Sequence, residues 1–201
     1  MDSKTNNARG FLFWATLVGL VFFTVYPACN WLSAQRDTVH RFYFAWELGI
    51  PLVPEFLWAY LSMYVLFVLP PFFLDPVRQK RLALQLISGT LAAGLIFLMF
   101  PSTLGFTRAI PGSSFYDGPF RFMFSVDQPY NMWPSLHVVY SALILLALID
   151  RAPPVKWQAG AWFWLALISV STILVHQHHL LDIFSAYILV GVVRLAHSKG
   201  G

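Results

Sequence analysis

The chain has 201 residues, 58% of them apolar and only 11% charged, against roughly 45–50% and about 25% in a soluble domain. That balance excludes an ordinary soluble fold and indicates an integral membrane protein. The net charge of +4 comes from 13 Lys and Arg dispersed over short segments, without the concentrated basic patch that binding to nucleic acid requires.

Uncharged runs at residues 11–34, 56–74, 82–107, 128–149 and 157–175 are each near or beyond the ~20 residues that cross a bilayer as a helix. A sixth run, residues 180–196, carries Asp182 near its start and Arg194 near its end. Both charges are tolerable there, because an arginine snorkels to the interface and a carboxylate at a helix mouth stays near it. The first run is longer than a signal-peptide core and lacks a small-x-small cleavage site before Gln35, so it reads as a retained helix. Cys29 is the one cysteine and reads as structural. No fixed-period repeat, low-complexity tail or long linker divides the chain. The expectation is one all-α domain over residues 1–201, an integral membrane six-helix bundle.

Six crossings put Lys4, Arg9, Arg78, Lys80, Arg81, Arg151, Lys156, Arg194 and Lys199 on the side of the termini, and Arg36, Arg41, Arg108 and Arg121 on the other. The positive-inside bias then makes the termini cytoplasmic. The expected location is a bacterial inner (plasma) membrane. The connection 101–133 and the segment around His178 both face outward, and the outer connections are the long, irregular ones, which often carry function.

Two stretches carry chemistry at that outer face. In "NMWPSLHVVYSALILL", residues 131–146, Pro134 suits a first helical turn, and the free N–H groups that follow attract anions. Ser135 adds a hydroxyl and His137 a titratable ring. In "VHQHHLLDIFSAY", residues 175–187, three histidines and an aspartate lie between apolar runs, where polar side chains are costly unless held or used. His178 and Asp182 are four apart, so if the helix begins by this point they share a face and the carboxylate can fix one ring nitrogen and free the other for attack. His179 and Asp182, three apart, form a second possible pair. Imidazoles and a carboxylate are also zinc ligands, but the helix mouth and Arg108 suit an anion instead. Neither a metal nor a cofactor is expected.

"PSLHV" at 134–138 and "STILVHQHHLLD" at 171–182 together resemble the type 2 phosphatidic acid phosphatase superfamily, in particular its inositol phosphorylceramide synthase-like branch. The similarity extends over about residues 101–191. It implies a six-helix membrane fold with phosphomonoester or phosphodiester chemistry at an extracytoplasmic face. It also implies that His178 is the nucleophile forming a phosphohistidine, Asp182 its orienting carboxylate, His137 the general acid and Ser135 a phosphate-binding hydroxyl. This sequence departs from the family pattern at two places. Ser171–Thr172 stands where the family has Ser-Arg, and "TRAIPG" supplies Arg108 without an adjoining proline, with Pro101 in place of a lysine. Charge on the phosphoryl oxygens then falls to Arg108 and the Ser135 helix mouth, with Arg121 and His176 as further candidates for substrate binding.

The expected activity is that of a lipid phosphate phosphatase or phosphotransferase, with lipids as substrates and surroundings. The alternatives are headgroup transfer to an alcohol, and a non-catalytic histidine-lined protein that binds metal or lipid. Glu47 and Glu55 read as solvated interfacial carboxylates. Trp31, Tyr43, Trp46, Trp58 and Trp133 read as an interfacial aromatic belt. The residues do not specify an oligomeric state.

Overall fold

The computed structural model describes residues 3–198. All regular structure among them is helical: α1 (Ser3–Ala34), α2 (Leu57–Leu61), α3 (Met63–Leu66), α4 (Pro70–Phe73), α5 (Pro76–Met99), α6 (Ser114–Val126), α7 (Leu136–Ile149), α8 (Val155–Leu174) and α9 (Leu180–Ala196). Three helical spans, Arg9–Ala34, Pro76–Met99 and Val155–Leu174, are long and apolar enough to cross a membrane. Helix α7 is apolar but shorter.

Helix α7 forms the middle of the molecule. Every residue from Leu136 to Leu145 is buried, and α5, α8, α9 and the short α3 and α4 pack around it. That accounts for its continuous apolar character, since a helix covered on all sides has no polar face to keep. Helix α1 packs along α5 with most of its surface outward. Their close approach depends on Gly94, where an added Cβ would lie 2.5 Å from Val25 Cγ1 and 3.6 Å from Cys29 Sγ. Cys29 is free and buried, and its thiol contacts the Gly94 carbonyl at 3.6 Å.

The helix ends follow local chemistry. Asp75 caps α5, its Oδ1 accepting the Arg78 N–H at 2.9 Å. Pro76 fills the first helical position, where a missing N–H costs nothing. Helix α5 stops at Met99, just before Pro101. The C-terminal ends of α7 and α9 meet through Arg194, which donates to both carboxylate oxygens of Asp150 at 3.0 Å. Arg78, Arg81 and His197 lie around the same pocket. The N-termini of α7 and α9 therefore share the opposite end of the molecule.

Three expectations are corrected. The run at 56–74 is not one helix but α2, α3 and α4 in succession, because Pro70 lacks an N–H and its ring crowds the preceding turn. At the α2–α3 break, the Ser62 hydroxyl turns back to the Ala59 carbonyl at 2.6 Å and accepts from Trp164 Nε1 at 2.8 Å. The outer connection 101–133 is not wholly irregular: it contains α6, which buries Phe120 and Met123 against Leu57, Tyr60 and Val175. Pro134 precedes α7 rather than opening it, and Ser135 is the N-cap, its Oγ accepting the Val138 N–H at 3.4 Å.

Candidate functional site

At the end shared by the N-termini of α7 and α9, both motifs meet. The Ser135 N–H donates to the Asp182 carbonyl at 3.1 Å, so the start of α7 is tied directly to the first turn of α9. His178 Nδ1 lies 3.3 Å from Asp182 Oδ2, and the same oxygen accepts the His179 backbone N–H at 2.8 Å. Asp182 is 1% exposed. A buried carboxylate with these partners holds the His178 ring by Nδ1 and leaves Nε2 as its uncommitted nitrogen. His137, in the first turn of α7, stacks on Tyr60 with ring centroids 3.9 Å apart. Its Nε2 lies 2.8 Å from the Tyr60 carbonyl. A carbonyl only accepts, so that nitrogen carries the hydrogen and Nδ1 is the free one.

His137 and His178 line the same cavity, about 790 Å³ in volume. Its wall is mostly apolar and runs beside α1 from Phe11 to Pro27, roughly 24 Å at 1.5 Å per helical residue. Tyr26, Tyr60, Tyr64, Asp127 and Asn131 lie toward the end with the two histidines, and Tyr140 and Gln79, the latter in the first turn of α5, are the other polar lining residues. An elongated apolar slot ending in two imidazoles has the shape and polarity of an amphiphile.

The other sequence-derived candidates occupy different positions. Ser135 is fully buried and joins the motifs rather than lining the cavity. Arg108 lies over the Phe124 ring at 5.1 Å and donates through Nη1 to the carbonyls of Phe124 and Asp127. Its Nε and Nη2 are buried with no acceptor, and burial holds its pKa below the usual guanidinium value. Arg121 is on the exposed face of α6, away from the histidines. His176 adopts a left-handed backbone, φ 55°, stacks on Phe106 at 4.1 Å and contacts the Ile50 carbonyl through Nε2 at 3.0 Å. Thr172 is completely buried, with its hydroxyl on the Ser169 carbonyl of its own helix.

Glu47 requires a correction. It is not a solvated interfacial carboxylate but 0% exposed. Oε1 accepts the Phe44 N–H at 2.8 Å, and Oε2 accepts the Leu180 N–H at 2.8 Å, satisfying an orphan donor at the start of α9. Oε2 also lies 3.4 Å from His179 Nδ1, an electrostatic contact rather than a formed hydrogen bond. His179 Nε2 accepts the Gly105 N–H at 3.0 Å, and its ring stacks on Tyr43 at 4.6 Å and Phe106 at 4.4 Å. Gly105 is obligatory at this contact, since a Cβ there would meet the Tyr43 ring at 2.4 Å. The two adjacent histidines are thus separated in role: His178 opens on the cavity and His179 is packed behind it. Glu55, by contrast, is exposed.

Among the described residues, no three of His, Cys, Asp and Glu are grouped so as to hold a metal ion. Sequence reasoning missed Tyr60, Asp127 and Asn131, which the fold brings to His137 and His178 from distant segments. No family model, curated protein or solved structure matches this chain.

Proposed function

We propose that this chain is a membrane enzyme that transfers a phosphoryl group from a lipid phosphate through a phosphohistidine on His178. One observation carries the reading: His137 in the first turn of α7 and His178 just before α9 line one apolar cavity, each with one ring nitrogen tied back and the other uncommitted. His178 Nε2 attacks phosphorus, and the bond from phosphorus to the leaving alkoxide breaks. His137 enters this step as the imidazolium, with a second hydrogen on Nδ1; that proton goes to the leaving oxygen while the Nε2 hydrogen stays on the Tyr60 carbonyl. Asp182 stabilises the positive charge that grows on His178. In the second half, water or a hydroxyl-bearing acceptor gives its proton to His137 Nδ1, its oxygen bonds to phosphorus, and the N–P bond breaks. No protein-bound metal takes part in these steps.

Arg108 supports the same reading, because its two unpartnered buried nitrogens, Nε and Nη2, are costly until an acceptor such as a phosphoryl oxygen arrives. The membrane topology proposed with it has six crossings: α1, the broken column α2–α4, α5, α7, α8 and α9. Helix α6 lies at the outer interface, the termini are cytoplasmic, and the site is extracytoplasmic, in a bacterial inner membrane. The resemblance of 134–138 and 171–182 to the phosphatidic acid phosphatase motifs supports the chemistry but not the choice of acceptor.

The test is diacylglycerol release by the purified chain from monoester and diester glycerophospholipids, with and without a chelator. Turnover that resists the chelator and disappears in His178→Gln is expected. Turnover that persists in His178→Gln, or its absence from the wild-type chain across the panel, overturns the reading.

A further inference from the structure

Asp127 is the only formally charged side chain among the described residues lining the cavity. Its Oδ1 accepts the Tyr26 hydroxyl at 2.6 Å, while Oδ2 takes no hydrogen bond from any described residue. Arg108 bonds the backbone carbonyl of Asp127, not its carboxylate, and no ion pair within 4.0 Å joins the two side chains. Tyr60 and Tyr64 line the same end, near enough for the Asp127 charge to act on them. Arg108 acts on Asp127 through space and through its backbone carbonyl, but a half-buried carboxylate with aromatic rings around it and no cation in contact with its oxygens is incompletely paired. Such a charge gains most from a positive group, and tyrosine faces attract the same kind of group.

The neighbouring histidines sharpen the inference. A phosphate beside the Asp127 carboxylate is repelled, whereas a headgroup that also carries a cation presents its positive end to Asp127 and relieves that repulsion. A hydroxyl could donate to Oδ2 but would leave the formal charge offset only by Arg108, which makes no contact with the carboxylate oxygens. We infer that the polar end of this cavity is a subsite for an alkylammonium headgroup, so that the preferred lipid is a zwitterionic phosphodiester whose chain lies in the slot beside α1. The assignment of the reacting phosphorus rests on the proposed roles of His137 and His178. The ammonium subsite itself does not.

The experiment separates the two. The full chain in a non-ionic maltoside detergent is titrated calorimetrically with dodecyltrimethylammonium, which has the cation and chain but no phosphate, and with dodecanol as the neutral control. Wild-type protein and Glu55→Gln, an exposed position outside the cavity, should bind the ammonium probe equally. Asp127→Asn should weaken it roughly tenfold, the scale of a charge-assisted contact in a partly desolvated site. Tyr64 is 56% exposed, so Tyr64→Leu leaves the core intact, and it should weaken binding about three- to fivefold through loss of an aromatic face. Equal affinity for dodecanol, or unchanged ammonium binding in both Asp127→Asn and Tyr64→Leu, overturns the subsite. Ammonium binding that depends on Asp127, in a chain that releases no diacylglycerol from any lipid, keeps the subsite and removes the phosphoryl-transfer reading.

Discussion

His179 has both ring nitrogens engaged, Nε2 by the Gly105 N–H and Nδ1 by the Glu47 carboxylate, whereas His178 commits only Nδ1. On the proposed chemistry, His178→Gln should abolish the phosphoenzyme trapped by rapid quench. His179→Gln should leave it detectable while lowering thermal stability. Loss of the intermediate in His179→Gln with survival in His178→Gln would reverse the assignment. Arg108→Ala should lower turnover about 30- to 1000-fold, the range for losing a charge-assisted donor to a transferring group. Wild-type-like turnover would move the clamp elsewhere. Burial pushes His179 down to about 4 from its ordinary value of 6.5, against the opposing pull of Glu47, and burial also lowers His176. Neutral in the fold, these rings take up protons more readily when unfolded, so acidification from about pH 6.5 towards 4 favours the unfolded chain. The unfolding temperature in detergent should therefore fall over that window, less steeply in His179→Gln. A slope unchanged by that substitution would show that His179 does not carry it.

At the scale of elements, the contact of α1 with α5 turns on a glycine. Gly94→Val brings a branched side chain to a position where even a Cβ meets Val25 at 2.5 Å. The helices must separate or shift, at a cost of about 1–3 kcal/mol for overpacking, and the slot beside α1 should deform with them. The check is a lowered unfolding temperature with weakened binding of chain-bearing amphiphiles; unchanged values would mean that α1 tolerates the displacement. The broken column α2–α4 places the Tyr60 carbonyl against His137, so the interruption after α2 bears on the site. Helix α6 had a readable signal: Phe120, Met123 and Phe124 recur at helical spacing and pack together with α2. Its position inside a connection already taken as an outer loop concealed it.

For the whole molecule, the basic residues Arg78, Arg81 and Arg194 share one end and the histidine motifs the other. With the positive end cytoplasmic, a reporter fused after Gly201 should report the cytoplasm. A cysteine at the exposed Ser114 should react with an impermeant reagent from outside intact cells. Labelling at 114 only after the inner side is opened would invert the proposed orientation. This outcome is independent of the chemistry, because it reads only which end of the bundle faces which compartment.

The sequence by itself determined the all-helical class and the apolar character, since composition and run length follow directly from the cost of exposing peptide groups and charges to lipid. It pointed to the His178–Asp182 contact, but not to its geometry: α9 starts at Leu180 with His179 as its N-cap, so His178 reaches Asp182 from the segment before the helix and not from a shared helix face. It did not determine that Glu47 caps α9 from 133 residues away, or that Tyr60 turns His137 by its carbonyl. Nor did it bring Asp127 into the same cavity as both histidines. Those contacts join segments with no fixed spacing between them, and a carboxylate near a helix end reads the same in sequence whether it meets water or a buried N–H. Only the packing of α7 among its neighbours decides which.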